Sequence, residues 1–195
     1  KASAIAVGPG LGISEWARQL LQIVLRSQQD TSIPLVVDAD ALNLLAEKTD
    51  TSGKVKRRNW ILTPHPGEAA KLLGCSTKEV QDDRFFAIKK LAENWGGTFL
   101  LKGSGSLTFS NTTTSMVYLC TEGNAGMASG GMGDVLSGIV VSLLGQGLSL
   151  FDALNCGICI HGEAGDLAKE FGGERGLLAT DLFPYLRQLA NPSLN

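Results

Sequence analysis

The most constraining feature of this sequence is a succession of short apolar segments, each followed by a stretch with helical periodicity. The apolar segments lack the polar–apolar alternation of a strand with one solvated face, most clearly at residues 34–38. Four such strands are predicted, at residues 4–7, 34–38, 60–63 and 98–102. Strands that alternate with helices form parallel sheets with helices on both faces. The sequence therefore predicts an α/β fold with a mostly parallel sheet.

Helices are predicted where apolar residues recur with a period near 3.6 or where a capping signal precedes an apolar run. They are expected at residues 14–27, 39–46, 69–73, 77–95, 134–144, 150–171 and 180–190. Ser76 and Glu79 have the spacing of a capping box ahead of the fourth of these helices. A polar stretch between strands 106–110 and 115–119 predicts a hairpin.

Charge and composition exclude several classes of function. The 17 Lys and Arg residues are outnumbered by 19 Asp and Glu residues, so no basic footprint for nucleic acid or an anionic membrane exists. No apolar run approaches the roughly 18 residues of a membrane span, and the first ten residues do not resemble a signal peptide. The four cysteines lie in apolar or helical stretches, which favours free thiols in a reducing compartment. We therefore expect a cytoplasmic protein with a small-molecule ligand.

The strongest functional signal is the glycine-rich segment 123–134, which ends in Asp134 at the start of a predicted helix. Five glycines in the eleven residues before Asp134 can expose backbone amides as a nest for an anion. A carboxylate beside such a nest could deprotonate an attacking hydroxyl while the amides stabilise a phosphoryl group. The alternative is that Asp134 only caps the helix.

Three further segments follow predicted strands, where ligands bind in parallel sheets. Residues 102–106, Lys-Gly-Ser-Gly-Ser, are either a nucleotide-phosphate loop or a hairpin turn with a solvated lysine, and they lack the spacing of a Walker A motif. His65 is predicted to contact a ligand, whereas Glu68 would stabilise its helix in any case. Asp38 and Asp40 form a candidate carboxylate pair for a metal-bound water, a hydroxyl or an ammonium group.

Two other candidates have structural interpretations. His161 lies within a predicted helix, where a structural role is favoured. Cys156 and Cys159 form a single C-x-x-C with apolar neighbours and no second pair, so buried thiols are favoured over a zinc site.

Together these segments resemble the ADP-dependent (6S)-NAD(P)H-hydrate dehydratases, the carbohydrate-kinase-like C-terminal domain of bacterial bifunctional NAD(P)H-hydrate repair enzymes. The resemblance is carried by VGPGLG at 7–12, DADALNLLA at 38–46, TPHPGEAAKLLG at 63–74, LKGSGS at 101–106, GNAGMASGGMGDVLSGI at 123–139 and GLLATDLF at 176–183. It implies a ribokinase-like three-layer sandwich. It also implies a hydro-lyase that restores NADH or NADPH from the 6-hydroxy hydrates NADHX and NADPHX with ADP or ATP and Mg²⁺.

The resemblance also implies roles for individual residues. Asp134 would be the catalytic acid/base. The hydrate would be contacted by Gly10, His65, Glu68, Lys71 and Asp134. The adenine nucleotide would be held by Lys102, Gly103, Ser104, Gly105, Ser106, Asn124, Gly130, Gly131 and Gly133. Glu68 matches the acidic end of the N-x-x-E motif of ribokinases, with His65 in place of the asparagine, and is the candidate metal ligand.

Family members carry an earlier βαβ portion ahead of the first motif. We therefore expect residues 1–195 to be a partial dehydratase domain whose N-terminal portion is missing, and whose full-length partners are that upstream segment and an epimerase domain. A homo-oligomer is expected. Two other functions stay open: a ribokinase-like kinase of a vitamin precursor alcohol of the hydroxymethylpyrimidine or thiazole type, and a nucleotide-binding module without turnover. The segments HPGE and DADAL favour the dehydratase.

Overall fold

The computed structural model of the protein describes residues 2–27, 33–47 and 56–191. Its sheet has six strands in sequential order: β1 (Ile5–Val7), β2 (Leu35–Val37), β3 (Trp60–Leu62), β4 (Thr98–Leu101), β5 (Ser106–Ser110) and β6 (Tyr118–Cys120). The first four strands are parallel, and β5 and β6 continue the sheet as antiparallel neighbours. The predicted α/β fold with a mostly parallel sheet is confirmed.

Eight α-helices cover the sheet. They are α1 (Glu15–Ser27), α2 (Asp40–Ala46), α3 (Pro66–Leu73), α4 (Thr77–Asp82), α5 (Arg84–Trp95), α6 (Met132–Gly145), α7 (Leu150–Gly172) and α8 (Phe183–Leu189) among the described residues. Two 3₁₀ turns, Ala125–Met127 and Ala179–Leu182, precede α6 and α8. No helix of the described ranges has the length and hydropathy needed to cross a membrane.

Alternate residues of the central strands pack into two separate hydrophobic cores, one on each face of the sheet. Leu35 and Val37 of β2 pack under α1–α5, whereas Val36 between them packs under α6 and α7. This is the period-2 geometry of a strand buried on both faces, and it explains why β2 and β3 show no polar alternation. A third cluster joins α7 to α8. The result is the predicted three-layer arrangement, with helices on both faces of the sheet.

Several predicted boundaries are wrong, and capping explains the clearest case. The single helix predicted over residues 77–95 is two helices, because Asp83 leaves helical geometry with φ −145° and ψ 85°. Its side chain accepts from the Phe86 N–H across 2.8 Å and thereby begins α5 as a new N-cap. The predicted capping box of Ser76 and Glu79 is confirmed at the start of α4.

Other boundaries shift by a few residues. α3 begins at Pro66 rather than at residue 69, since a proline is well suited to the first helical turn. The last strand, predicted over residues 115–119, is β6, whose Cys120 pairs with Ser106. The final predicted helix divides into a 3₁₀ turn and α8.

Candidate active site

The turn after β1 crosses closely over the end of β2. Gly8 has a φ of 130°, and a Cβ atom there would lie 1.7 Å from the carbonyl oxygen of Asp38, so only glycine fits. The backbone N–H of Gly12 donates to Oδ2 of Asp40 across 2.7 Å. The first glycine turn, which contains Gly10, is thereby tied to the start of α2.

Asp38 links three elements at this edge of the sheet. The residue is only 1% exposed. Its Oδ1 atom lies 2.8 Å from Nζ of Lys102, and its Oδ2 atom accepts from the Ser137 hydroxyl across 2.8 Å. Asp38 and Asp40 therefore have different partners and do not act as one carboxylate pair. The intervening residue, Ala39, adopts φ 48° and ψ −124°, which turns the two side chains to these separate partners.

The guanidinium group of Arg84, the first residue of α5, forms hydrogen bonds to the backbone at the end of β4 and in the loop at residues 102–106. It donates to three carbonyl oxygens, those of Leu101, Lys102 and Ser104, across 3.1, 3.4 and 2.8 Å. In a trans peptide the N–H points opposite to the C=O. The amides of Gly103 and Gly105 therefore point away from Arg84. Burial lowers the pKa of the Arg84 guanidinium.

The glycine-rich segment begins with a pair of hydrogen bonds to Asp166 on α7. Oδ2 of Asp166 accepts from the Gly123 N–H across 2.8 Å, and Oδ1 accepts from Nδ2 of Asn124 across 2.9 Å. Oδ1 of Asn124 in turn accepts from the N–H of Gly126 across 3.1 Å. Both polar atoms of the Asn124 side chain therefore form hydrogen bonds that stabilise the conformation of the loop.

α6 begins two residues earlier than predicted. Gly131, with a φ of 86°, is its N-cap residue and Asp134 is the third helical residue, so the interpretation of Asp134 as the cap is wrong. The Asp134 residue is exposed. A Cβ atom on Gly133 would lie 3.3 Å from Nζ of Lys102 and 3.6 Å from Oδ2 of Asp38. The first turn of α6 therefore packs directly against the buried ion pair.

The two predicted nucleotide segments line one cavity of about 650 Å³, a volume typical of small-molecule sites. The predicted site residues on its wall are His65, Lys102, Gly103, Ser104, Gly105, Ser106, Asn124 and Gly133. The predicted site residues outside its lining are Gly10, Glu68, Lys71, Gly130, Gly131 and Asp134. Asp134 directly follows the lining residue Gly133 but is not itself part of the lining.

Two buried polar atoms on the cavity wall lack a hydrogen-bond partner, Oγ of Ser129 and Nε2 of His161. Buried polar groups are almost always paired, so such atoms mark places where a ligand can complete the bonding. Burial lowers the pKa of His161 to about 4. The imidazole is neutral at physiological pH. His161, for which a structural role was favoured, therefore faces the site.

His65 and Glu68 form a reciprocal cap at the start of α3. Nδ1 of His65 accepts from the N–H groups of Gly67 and Glu68, and Oε2 of Glu68 accepts from the N–H of His65 across 2.8 Å. Burial lowers the pKa of His65 and raises the pKa of Glu68. Lys71 donates to Oδ1 of Asn43 across 2.6 Å and so joins α3 to α2.

The cysteine interpretation requires correction. Cys156 and Cys159 are exposed on α7 rather than buried, and none of the four cysteines is in a disulfide. Cys120 at the end of β6 is buried and lines the cavity. Burial, reinforced by a hydrogen bond to Glu122, raises the pKa of the Cys120 thiol to about 12.

Comparison with known proteins assigns the family. The family model described as NAD(P)H-hydrate dehydratase matches residues 1–188. The chain belongs to the NAD(P)H-hydrate dehydratase family. This confirms the resemblance carried by the six sequence motifs.

Two curated relatives of the NAD(P)H-hydrate dehydratase family show the extent of the match. The bifunctional NAD(P)H-hydrate repair enzyme Nnr of Coxiella burnetii is 54% identical over 191 residues, 98% of this chain and 37% of the relative. The ADP-dependent (S)-NAD(P)H-hydrate dehydratase of Neisseria meningitidis is 44% identical over 97% of this chain and 63% of its own length. The chain thus spans between about a third and two thirds of these relatives.

A solved structure shows the same fold. The ADP/ATP-dependent NAD(P)H-hydrate dehydratase of Bacillus subtilis, co-crystallised with ATP and Mg²⁺, has a TM-score of 0.81 and 28% identity, covering 97% of this chain and 65% of that one. A ribokinase-like superfamily protein of Enterococcus faecalis has a TM-score of 0.83 at 26% identity over 98% of this chain and 65% of its own. The three-layer ribokinase-like fold is confirmed.

Sequence reasoning missed three residues that shape this site, Arg84, Asp166 and Glu122. Arg84 and Asp166 lie far along the chain from the loops that they contact. Glu122 lies close to its partner Cys120 but in a segment without a recognisable motif. Arg84 directly follows the capping residue Asp83, but its partners are backbone carbonyl groups, which leave no signal in the sequence. Asp166 and Glu122 carry no local pattern that distinguishes them from solvated acids.

Proposed function

We propose that this chain dehydrates (6S)-NADHX and NADPHX to NADH and NADPH at the expense of ADP or ATP. The terminal phosphoryl group of the nucleotide passes to the C6 hydroxyl oxygen, whose proton is removed. Phosphate then leaves C6 with the bonding electrons, and a proton leaves the adjacent ring carbon to form the double bond. Phosphate is a far better leaving group than hydroxide. The role of the nucleotide is to supply the phosphoryl group that converts the C6 hydroxyl into this leaving group.

The observation that carries this proposal is the single cavity formed by two separately predicted segments. The loop at residues 102–106 and the glycine-rich segment are 17 or more residues apart in sequence, yet both line the same wall. Gly103, Gly105 and Gly133 are among the lining residues, and glycines allow backbone amides to approach an anionic phosphoryl group closely. Ser129 and His161 add two unpaired polar atoms to that wall, which supports a polar ligand.

Residue roles follow from position. Asp134, an exposed residue in the first turn of α6 next to the lining residue Gly133, is proposed to take the proton of the C6 hydroxyl. Nζ of Lys102 lies 3.3 Å from the place of a Cβ atom on Gly133, and the Lys102 side chain is 21% exposed beside Asp38. We propose that it and the amides of Gly103 and Gly105 contact the nucleotide phosphates. His65, on the same cavity wall, would contact the hydrate, with Gly10 and Lys71 beyond it.

The proposed Mg²⁺ requires oxygen ligands, mostly the phosphates themselves and one or two carboxylates. Glu68 does not fit well as one of these, because its Oε2 atom already accepts from the backbone N–H of His65. Its Oε1 atom lies 3.4 Å from Nε2 of the same residue. No step of the proposed reaction is therefore assigned to a metal held by Glu68.

We also propose that residues 1–195 belong to one ribokinase-like dehydratase domain. The family match over residues 1–188 supports this assignment. The upstream segment, the epimerase domain and the homo-oligomer stay predictions.

The test is turnover of chemically prepared NADH hydrate with ADP and Mg²⁺, followed by the return of the near-ultraviolet absorbance of NADH. Asp134→Asn should lower kcat by about 10²-fold or more and leave ADP affinity nearly unchanged. Asp152→Asn is the matched control, since Asp152 is also an exposed aspartate at the third position of a helix but lies at the start of α7. Near-normal kcat in Asp134→Asn would contradict the catalytic role. ADP binding without turnover, in this chain and in one extended upstream, would contradict the function.

A further inference from the structure

Three potential metal ligands converge where the chain leaves β6 and passes over α7. They are the thiols of Cys120 and Cys159 and the carboxylate of Glu122. Their ligand atoms all lie within 4.8 Å of one another. The Sγ atom of Cys120 lies 3.1 Å from Oε2 of Glu122. Cys120 comes from the sheet and Cys159 from a helix, so this is a tertiary cluster and not a sequence-local motif.

The backbone around the cluster is fixed by close packing. A Cβ atom on Gly162, three residues after Cys159, would lie 2.7 Å from Cβ and 2.8 Å from the carbonyl carbon of Glu122. The absence of a side chain at Gly162 therefore lets Glu122 lie directly on α7. Cys120 is held in register by its pairing with Ser106 in the sheet, and its Sγ atom is 3.8 Å from the Ile158 carbonyl oxygen. The backbone at Cys120 and Glu122 is therefore held close to α7 without an ion.

The donor set and its spacing fit a thiophilic divalent ion. Zinc binds sulfur at about 2.3 Å and carboxylate oxygen at about 2.1 Å, which places tetrahedral ligand atoms roughly 3.6–3.8 Å apart. Small side-chain rotations bring atoms within 4.8 Å of one another to that separation. An ion that binds here displaces the proton that the Cys120 thiol donates to Glu122. The resulting thiolates select zinc or cadmium over Mg²⁺, which prefers oxygen ligands. Three protein ligands leave a fourth coordination position for water.

We propose that Cys120, Cys159 and Glu122 form a binding site for a zinc-like, thiophilic divalent ion. The ion is held on the cavity wall, because Cys120 and Glu122 line the cavity. The site differs from the Mg²⁺ of the proposed reaction in ligand chemistry, and it requires no nucleotide. Cys156 lies outside the cluster although it is one helical turn before Cys159, so the ion does not bind to the helical C-x-x-C.

The proposal is tested by titrating the 195-residue chain with cadmium in a buffer that contains a phosphine reductant, which keeps the thiols reduced. Each cadmium–thiolate bond absorbs in the ultraviolet. We expect one equivalent to bind with the absorbance of two thiolates and zinc to displace it. Cys120→Ser and Cys159→Ser should each remove about half of the absorbance and weaken binding by roughly tenfold or more. Glu122→Gln should keep the absorbance and weaken binding. None of these outcomes depends on dehydratase turnover, so the two proposals fail separately.

The other two cysteines are matched controls. Cys75→Ser removes a half-buried thiol that packs with the core under α1–α5, on the opposite face of the sheet, and Cys156→Ser removes the neighbouring exposed thiol. Both should bind cadmium as the original chain does. Circular dichroism verifies folding, and Cys159→Ala, at an exposed position, keeps the test valid if Cys120→Ser unfolds. Loss of the absorbance in Cys156→Ser with retention in Cys120→Ser would overturn the proposal, as would absence of stoichiometric binding.

Discussion

Removing the charge of Lys102 should destabilise the folded protein as well as weaken nucleotide binding. Lys102→Met keeps the length of the side chain but leaves the carboxylate of Asp38 without its cation. That carboxylate is 1% exposed, so water cannot replace the lost ammonium group. Its remaining side-chain partner is the hydroxyl of Ser137.

The expected magnitude follows from the geometry. Two unit charges 2.8 Å apart attract by about 6 kcal/mol at an effective dielectric constant of about 20. The 21% exposure of the Lys102 side chain and the retained Ser137 bond reduce the net loss. We expect Lys102→Met to lower the free energy of unfolding by about 3–5 kcal/mol, as for other buried pairs broken on one side. Adding Asp38→Asn should recover about half of this loss, because the unpaired charge is then removed.

Urea unfolding at pH 7, followed by circular dichroism, measures these differences, and calorimetry measures ADP affinity in the same variants. Lys90→Met is the matched control, since Lys90 pairs with Glu93 at an exposed position, with side chains 48% and 61% exposed. It should cost less than about 0.5 kcal/mol. The reasoning is refuted if Lys102→Met loses less than about 1 kcal/mol, or if the double variant is no more stable than Lys102→Met.

Three further predictions concern single residues. His161 has a folded-state pKa near 4, below the value of about 6.5 in the unfolded chain, so the unfolded chain binds the extra proton between these pH values. The free energy of unfolding should therefore fall by up to about 3 kcal/mol as pH drops from 6.5 to 4, and His161→Gln should flatten this dependence in urea titrations; an unchanged slope would contradict the burial argument. Ala39→Gly should leave stability unchanged or raise it by up to about 1 kcal/mol, because φ 48° disfavours a Cβ atom, and a clear loss on urea unfolding would show that this backbone is unstrained. Arg84→Met should raise KM for ADP by roughly tenfold with a smaller change in kcat, and Arg84→Lys should restore part of the lost ADP affinity. A tenfold fall in kcat with an unchanged KM would argue against a role of Arg84 in positioning the loop.

The fold could be predicted because its signals are local. Unbroken apolar strands, periodic helices and the capping box of Ser76 and Glu79 each depend on a few neighbouring residues. The break at Asp83 was missed because its side chain competes with helix continuation, a balance that periodicity does not measure. The two segments that the motifs assign to the nucleotide, residues 102–106 and 123–134, both contribute to the lining of one cavity.

The contacts between those segments could not be predicted. Nothing near Lys102 in sequence indicates that its ammonium group pairs with Asp38, 64 residues away. The same holds for Arg84, whose partners are backbone carbonyl groups 17 to 20 residues later. Backbone partners carry no residue signature, so only the folded chain reveals them. Cys120 and Cys159 meet for the same reason, through the packing of a strand end on a helix.

The hydrogen bonds of Asp38 hold one side of the site more rigidly than the other side. Its buried bonds to Lys102 and Ser137 connect α6 to the end of β4, so we expect these two elements to move together. The first glycine turn is joined to α2 by one exposed bond, from Gly12 to Asp40, which water can replace at little cost. Amide hydrogen exchange at Gly12 should accordingly be fast. If the proposed hydrate lies against Gly10, we expect this turn to adjust to ligands of different size.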